Sequence, residues 1–182
     1  DYFASNGLAL YKSKEYEKSI KLNKIALKIN ITEENNYSSF YDLNENYEEC
    51  IDLDDIKVSN KNIDNYLSMI ASAEYSLKRF EDALITLNKA IVLNLPNQSD
   101  HILRAGIINL ELEKYSDAIK LLKKVDKLMP NYSHVFYYLG LAAEGLGNID
   151  NAKSYFEKCI NLNANHHHAR ISYLKLLEKS AD

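Results

Sequence analysis

Tryptophan is absent from this 182-residue chain, and glycine and proline are scarce, at five and two. So few turn-formers argue against a many-stranded β fold, which needs them at short, regular intervals. Two cysteines are too few for a disulfide framework. No apolar run approaches the roughly 18–20 residues of a membrane-spanning helix, so direct membrane insertion is not expected. Arginine occurs only as Arg79, Arg104 and Arg170 beside nineteen lysines. Planar, bidentate recognition of phosphate or carboxylate favours Arg, so few such sites are available. The net charge of −4 likewise speaks against nucleic acid as a partner. The first residue is Asp1 rather than Met, which suggests a processed or excised segment. Nothing in the sequence assigns a compartment, and cytoplasm and periplasm stay equally open.

What the chain does have is 46% hydrophobic residues and an internal repeat. Similar phrases open successive helices: Lys14-Glu15-Tyr16-Glu17-Lys18-Ser19-Ile20, Lys78-Arg79-Phe80-Glu81-Asp82-Ala83-Leu84, Glu113-Lys114-Tyr115-Ser116-Asp117-Ala118-Ile119 and Gly147-Asn148-Ile149-Asp150-Asn151-Ala152-Lys153. A fainter copy surrounds Tyr47. The anchors Tyr16, Tyr47, Phe80, Tyr115 and Ile149 are 31, 33, 35 and 34 residues apart, the length of a helix-turn-helix unit. Between Phe80 and Ile91, apolar residues recur every three or four positions, which places them on one helical face. Three residues after each anchor stands Ser19, Cys50, Ala83, Ala118 or Ala152, small enough for paired helices to approach closely. Pro96 and Pro130 close two units, because Pro does not continue a helix.

With these residues in register, the chain resembles the tetratricopeptide-repeat (TPR) family. The last unit fits that pattern best: Phe136 in the first aromatic position, Leu139-Gly140, then Ala152 and Phe156. Gly7, Tyr16, Ser19 and Ala26 match in the first unit, Ala71, Phe80, Ala83 and Ala90 in the third, and Gly106, Tyr115, Ala118 and Pro130 in the fourth. The expected fold is an all-α, right-handed α-solenoid of about five units in a single array over residues 1–182. The units are 1–30, 31–61, 62–96, 97–131 and 132–164, with a terminal helix over 166–180. Residues 31–61 depart from the pattern and are either a degenerate unit or an irregular insertion. In the terminal helix Ile171, Leu174 and Leu177 fall in phase. It is either a cap that shields the last apolar face or half of a sixth unit.

No catalytic motif is present: no Gly-rich phosphate loop, no nucleophile elbow, no zincin His pair. No cofactor is expected. In the run His166-His167-His168, neighbouring helical side chains diverge by about 100° and do not converge on one ion. A polar entry to the terminal helix explains them, and no metal is expected. Asp52-Leu53-Asp54-Asp55 lacks the Gly and closing Glu of a calcium loop. Cys50 and Cys159 occupy small packing positions three units apart and are not expected to pair.

Two surfaces remain. Residues 31–56 hold nine acids and no Lys or Arg. That patch, with Glu45, Glu48, Glu49, Asp52, Asp54 and Asp55, is either a solvated face or a dock for a basic partner steered by charge. The TPR resemblance further implies that the first helix of each unit lines a concave groove. Its candidate lining is Asn65, Ser68, Ser72 and Tyr75, then Leu103, Arg104, Ile107 and Leu110, then His134, Tyr137 and Leu141. Leu103 and Ile107 make their helix apolar on a second side, which a protein-facing surface explains. The carboxylate clamp known in some TPR groups is matched only by Arg104, so chaperone-tail binding of that kind is not expected.

The function expected from the resemblance is a non-catalytic scaffold or adaptor within a larger bacterial assembly. It would hold an apolar or aromatic peptide, or an amphipathic helix, of a protein partner. Alternatives are a regulatory or substrate-docking domain of a larger enzyme, or a self-association module.

Overall fold

The computed structural model describes residues 2–32 and 62–179, and among them every regular element is a helix. The chain divides into two compact units, residues 1–97 and 98–182. In the first lie α1 (Tyr2–Lys12), α2 (Tyr16–Thr32), α3 (Ile63–Ser76) and α4 (Phe80–Val92). In the second lie α5 (Gln98–Glu111), α6 (Tyr115–Leu128), α7 (Ser133–Gly145), α8 (Ile149–Leu162) and α9 (His167–Glu178). None of these helices is long and apolar enough to cross a membrane.

Sequentially adjacent helices form hairpins: α1 with α2, α3 with α4, α5 with α6, α7 with α8. Each hairpin turns through the same backbone device, two residues before the anchor. Lys14, Lys78, Glu113 and Gly147 have φ of 64°, 60°, 57° and 72°. Next to each, an amide reaches back five residues: Glu15 to Leu10 O, Arg79 to Glu74 O, Lys114 to Asn109 O, Asn148 to Ala143 O, at 2.8–2.9 Å. This is the Schellman closure, which satisfies carbonyls left open at a helix end. Its left-handed residue favours Gly, yet only one of the four turns has one.

The small residues after the anchors, Ser19, Ala83, Ala118 and Ala152, are all fully buried. So are the partners of the glycine slots, which stand nine residues before each anchor. A Cβ added at Gly140 would meet Phe156 Cε1 at 2.4 Å; at Gly106 it would meet Leu122 at 3.1 Å. In the first unit Gly7 lies over Asn23, with its notional Cβ at 2.5 Å from the amide nitrogen. One slot thus accepts a ring, one a branched chain and one an amide.

The core of the first unit gathers Leu27, Ile63, Tyr66, Leu67, Ile70 and Leu95; that of the second includes Ile102, Ile108, Leu122, Phe136, Leu139 and Phe156. Full burial of such side chains contributes roughly 1.5–3 kcal/mol each. Helices of 11–17 residues are marginal alone, so this packing rather than propensity holds them. Two polar groups interrupt the first core. Glu74 is buried and accepts a hydrogen bond from Thr86 Oγ1 at 2.8 Å; its burial pushes the carboxyl above its ordinary range, against the hydroxyl bond. Asn23 donates to Ser19 O at 2.8 Å. Arg79 forms an ion pair with Glu17 of α2.

The terminal helix differs from its sequence reading in one respect. Ile171, Leu174 and Leu177, which the periodicity marks as the packing face, are exposed, while Ala169 and Leu176 are buried where α9 meets α8. The reason is register. Ala169 and Leu176 follow Val135 and Ala142 of α7 by 34 residues and take the same roles, so α9 sits as the first helix of a hairpin.

Candidate partner-binding surface

The candidate residues fall in two sets, one in each unit. On α3, Asn65 and Tyr75 are exposed and Ser68 and Ser72 half-buried. Ser72 Oγ donates to Ser68 O at 2.7 Å, and Ser76 Oγ to Ser72 O at 2.9 Å, so these hydroxyls are turned onto their own helix. The Tyr75 ring packs on Phe80 at 5.5 Å between centroids. This stripe is polar and its donors are locally engaged.

The second set lies on α5 and α7, which touch. Leu103, Ile107 and Leu110 of α5 are half-buried, as are Tyr137 and Leu141 of α7; His134 is exposed. The core-facing residues of the same helices, Ile102, Ala105, Ile108, Val135, Phe136 and Leu139, are buried. The α5 helix is therefore apolar on two sides, and its second side is only partly covered. Arg104 is held by Asp100 one turn earlier, Nε to Oδ2 2.8 Å, a pair at moderate exposure that contributes little to stability.

An aromatic chain runs along α7 into the start of α9. Tyr132 stacks on His134 at 5.1 Å, and His134 meets His166 edge-on at 5.0 Å. Tyr137 packs on His166 at 4.9 Å, on Tyr138 at 5.3 Å and on Phe156 at 6.1 Å. Burial raises the phenols of Tyr137 and Tyr138 above the ordinary tyrosine range, keeping them as neutral donors.

His166 and His168 were not among the sequence candidates. Their signal was the repeat itself, since His168 follows His134 by 34 residues. The run does form the polar entry to α9: His166 Nδ1 accepts the Ala169 N–H at 3.2 Å as the helix N-cap. Burial, and next the neighbouring His134, lowers the His166 pKa. Below pH about 6.5 the unfolded chain takes up a proton that folded His166 resists, so stability falls as pH drops through that value towards the lower folded one. The variant His166→Asn keeps a capping acceptor without titrating. Wild type is expected to lose more thermal stability than this variant between pH 7.5 and 5.5, as read by circular dichroism; equal losses would assign the pH response elsewhere.

Cys159 is buried, and burial pushes its thiol up to about 11, so it packs rather than reacts. Among the described residues no cluster of three His, Cys, Asp or Glu could hold a metal ion. Glu45, Glu48, Glu49, Asp52, Asp54 and Asp55, together with Cys50 and the whole of residues 33–61, lie outside the described residues.

The sequence profile of the tetratricopeptide repeat matches residues 133–166, the α7–α8 hairpin and the approach to α9. This chain is a tetratricopeptide-repeat protein. Over 100 residues, 54% of the chain, this TPR protein is 31% identical to the heat shock protein STI1 of Saccharomyces cerevisiae. The match spans only 17% of that relative's length. Among solved structures it is similar to "MamA 41-end from Desulfovibrio magneticus RS-1", with a TM-score of 0.76, 16% identity, and coverage of 100% of this chain and 85% of that one. A second MamA crystal structure gives 0.73, 18%, 99% and 81%. At such identity the likeness is one of fold. TPR domains are protein–protein interaction modules that bind protein partners, and scaffolds of this type are typically non-catalytic.

Proposed function

We propose that the α5–α7 face of the second unit is a non-catalytic docking groove for an apolar or aromatic peptide, or an amphipathic helix, of a protein partner within a larger bacterial assembly. The observation that supports this reading is the half-buried row Leu103, Ile107 and Leu110 on α5 beside Tyr137 and Leu141 on the touching α7. Half-covered aliphatic and aromatic side chains desolvate at low cost, because they are already held in place by the core beneath. The π-faces and neutral hydroxyls of Tyr137 and Tyr138 add orientation to that apolar contact. Apolar anchors at helical spacing fit a helix laid into a groove or an extended segment with alternate side chains inserted. The polar α3 stripe has less to offer such a guest.

The double variant Leu103→Asp/Ile107→Asp places two charges on the face. Partners captured from native lysate by wild type and identified by mass spectrometry are expected to bind it about 30-fold more weakly, the effect of losing one or two central anchors. Its helical circular dichroism should be retained. Undiminished affinity would move the site elsewhere, and an unfolded variant would assign both side chains to the core.

A further inference from the structure

In α7 the slot at Gly140 is filled by the Phe156 ring of α8, the second helix of the same hairpin. Thirty-four residues on, the same place on α9 holds Leu174, which is 57% exposed, and Ile171 beside it is 51% exposed. Among the described residues no helix lies on this side of α9, although its opposite side is packed against α8 through Ala169 and Leu176. The fold thus presents the first helix of a hairpin in its working position, with the second helix's seat available. A seat of this kind specifies what fills it. Gly140 leaves room for a ring; Leu174 already occupies that volume, so the opposing residue has to be small for the helices to close.

Charge specifies the rest. Arg170, Lys175 and Lys179 surround the face and are exposed, against Glu178 alone. In a hairpin the incoming helix runs antiparallel, so its N-terminal turn meets the Lys175 and Lys179 end. Acids in a first turn are favoured there by the helix dipole as well, and the chain's own second helices carry them: Glu81 and Asp82 in α4, Asp117 in α6, Asp150 in α8. Two copies of this chain meeting through α9 would instead oppose like basic rims. We infer that the exposed face of α9 docks an amphipathic helix of a partner protein, acidic in its first turn and carrying a small residue opposite Leu174, which completes the hairpin in trans.

The probe is a hydrocarbon-stapled peptide of residues 79–95, the α4 segment with its two first-turn acids, made with Leu87 and with Leu87→Ala. By register Leu87 stands where Phe156 does. Added to the 182-residue chain, the Leu87→Ala peptide is expected to shift the amide resonances of 169–179 and to bind about fivefold more tightly than the Leu87 form, the factor for roughly one kcal/mol. In the chain variant Leu174→Ala, whose substitution is at an exposed site, the preference should invert. Raising salt to 0.5 M should weaken both. Shifts confined to other helices, or a preference unchanged by Leu174→Ala, would overturn the inference. So would concentration-dependent dimers that Leu174→Asp abolishes, since they would assign the face to a second copy.

Discussion

Gly140→Leu is expected to lower the unfolding free energy by about 3–4 kcal/mol, beyond the usual 1–3 kcal/mol of an overpacked core. The first added carbon alone would lie 2.4–2.9 Å from three atoms of the Phe156 ring, and a fully buried ring has nowhere to turn. Gly140→Ala is expected to cost less, about 1–2 kcal/mol, because helix propensity returns about 1 kcal/mol of the strain. Gly106→Ala is the control: Leu122 stands at 3.1 Å, the adjustment is a few tenths of an ångström, and the propensity gain should bring the net change near zero. Combining Gly140→Ala with Phe156→Leu should cost less than the sum of the two single changes, a coupling readable in a double-mutant cycle by urea unfolding. Strict additivity would mean that the ring and the slot do not constrain one another.

The second large effect runs the other way. Lys14, Lys78 and Glu113 are exposed, carry φ near 60° and close three of the four hairpins. The left-handed conformation crowds a Cβ against the backbone. Replacing all three by Gly relieves that crowding, and the greater freedom of Gly in the unfolded chain takes back part of the gain. A net gain of about 2 kcal/mol is expected, or roughly 4–8 °C in Tm for a chain of this size. The reverse change, Gly147→Ala, should lose about 1 kcal/mol. A triple variant no more stable than wild type would show that local hydrogen bonds offset the crowding at these turns.

How far the sequence reads through to this architecture depends on the kind of constraint. The anchors and the small residues three positions later are periodic, and periodicity survives in one dimension, so the all-α repeat was legible from Tyr16, Phe80, Tyr115 and Ile149 alone. Phase is harder. Ile171, Leu174 and Leu177 share a helical face, but a first helix has two apolar sides, and which one is covered depends on whether a second helix follows. Register against Val135 and Ala142, rather than amphipathicity, decides it. Glu74 was illegible for a different reason: a buried carboxyl satisfied by Thr86 looks in sequence like any exposed glutamate. The Tyr132–His134–His166–Tyr137 chain joins residues more than thirty positions apart by ring packing, which spacing rules do not report. The α5–α7 row, by contrast, was visible because Leu103 and Ile107 are apolar where a solvated helix would be polar.

The differing occupants of the glycine slots also bear on how such a gene evolves. Gly7 with Asn23, Gly106 with Leu122 and Gly140 with Phe156 are each matched inside one hairpin. Unequal crossing-over at the joints between hairpins would copy or delete matched pairs intact, and the array could lengthen without mending its interior. A crossover at a hairpin tip would separate them; it could set Phe156 against Ala71, whose methyl leaves no room for a ring. Duplication breakpoints in descendants of this gene should therefore cluster near Asn97 or Tyr132 and avoid Lys78 or Gly147.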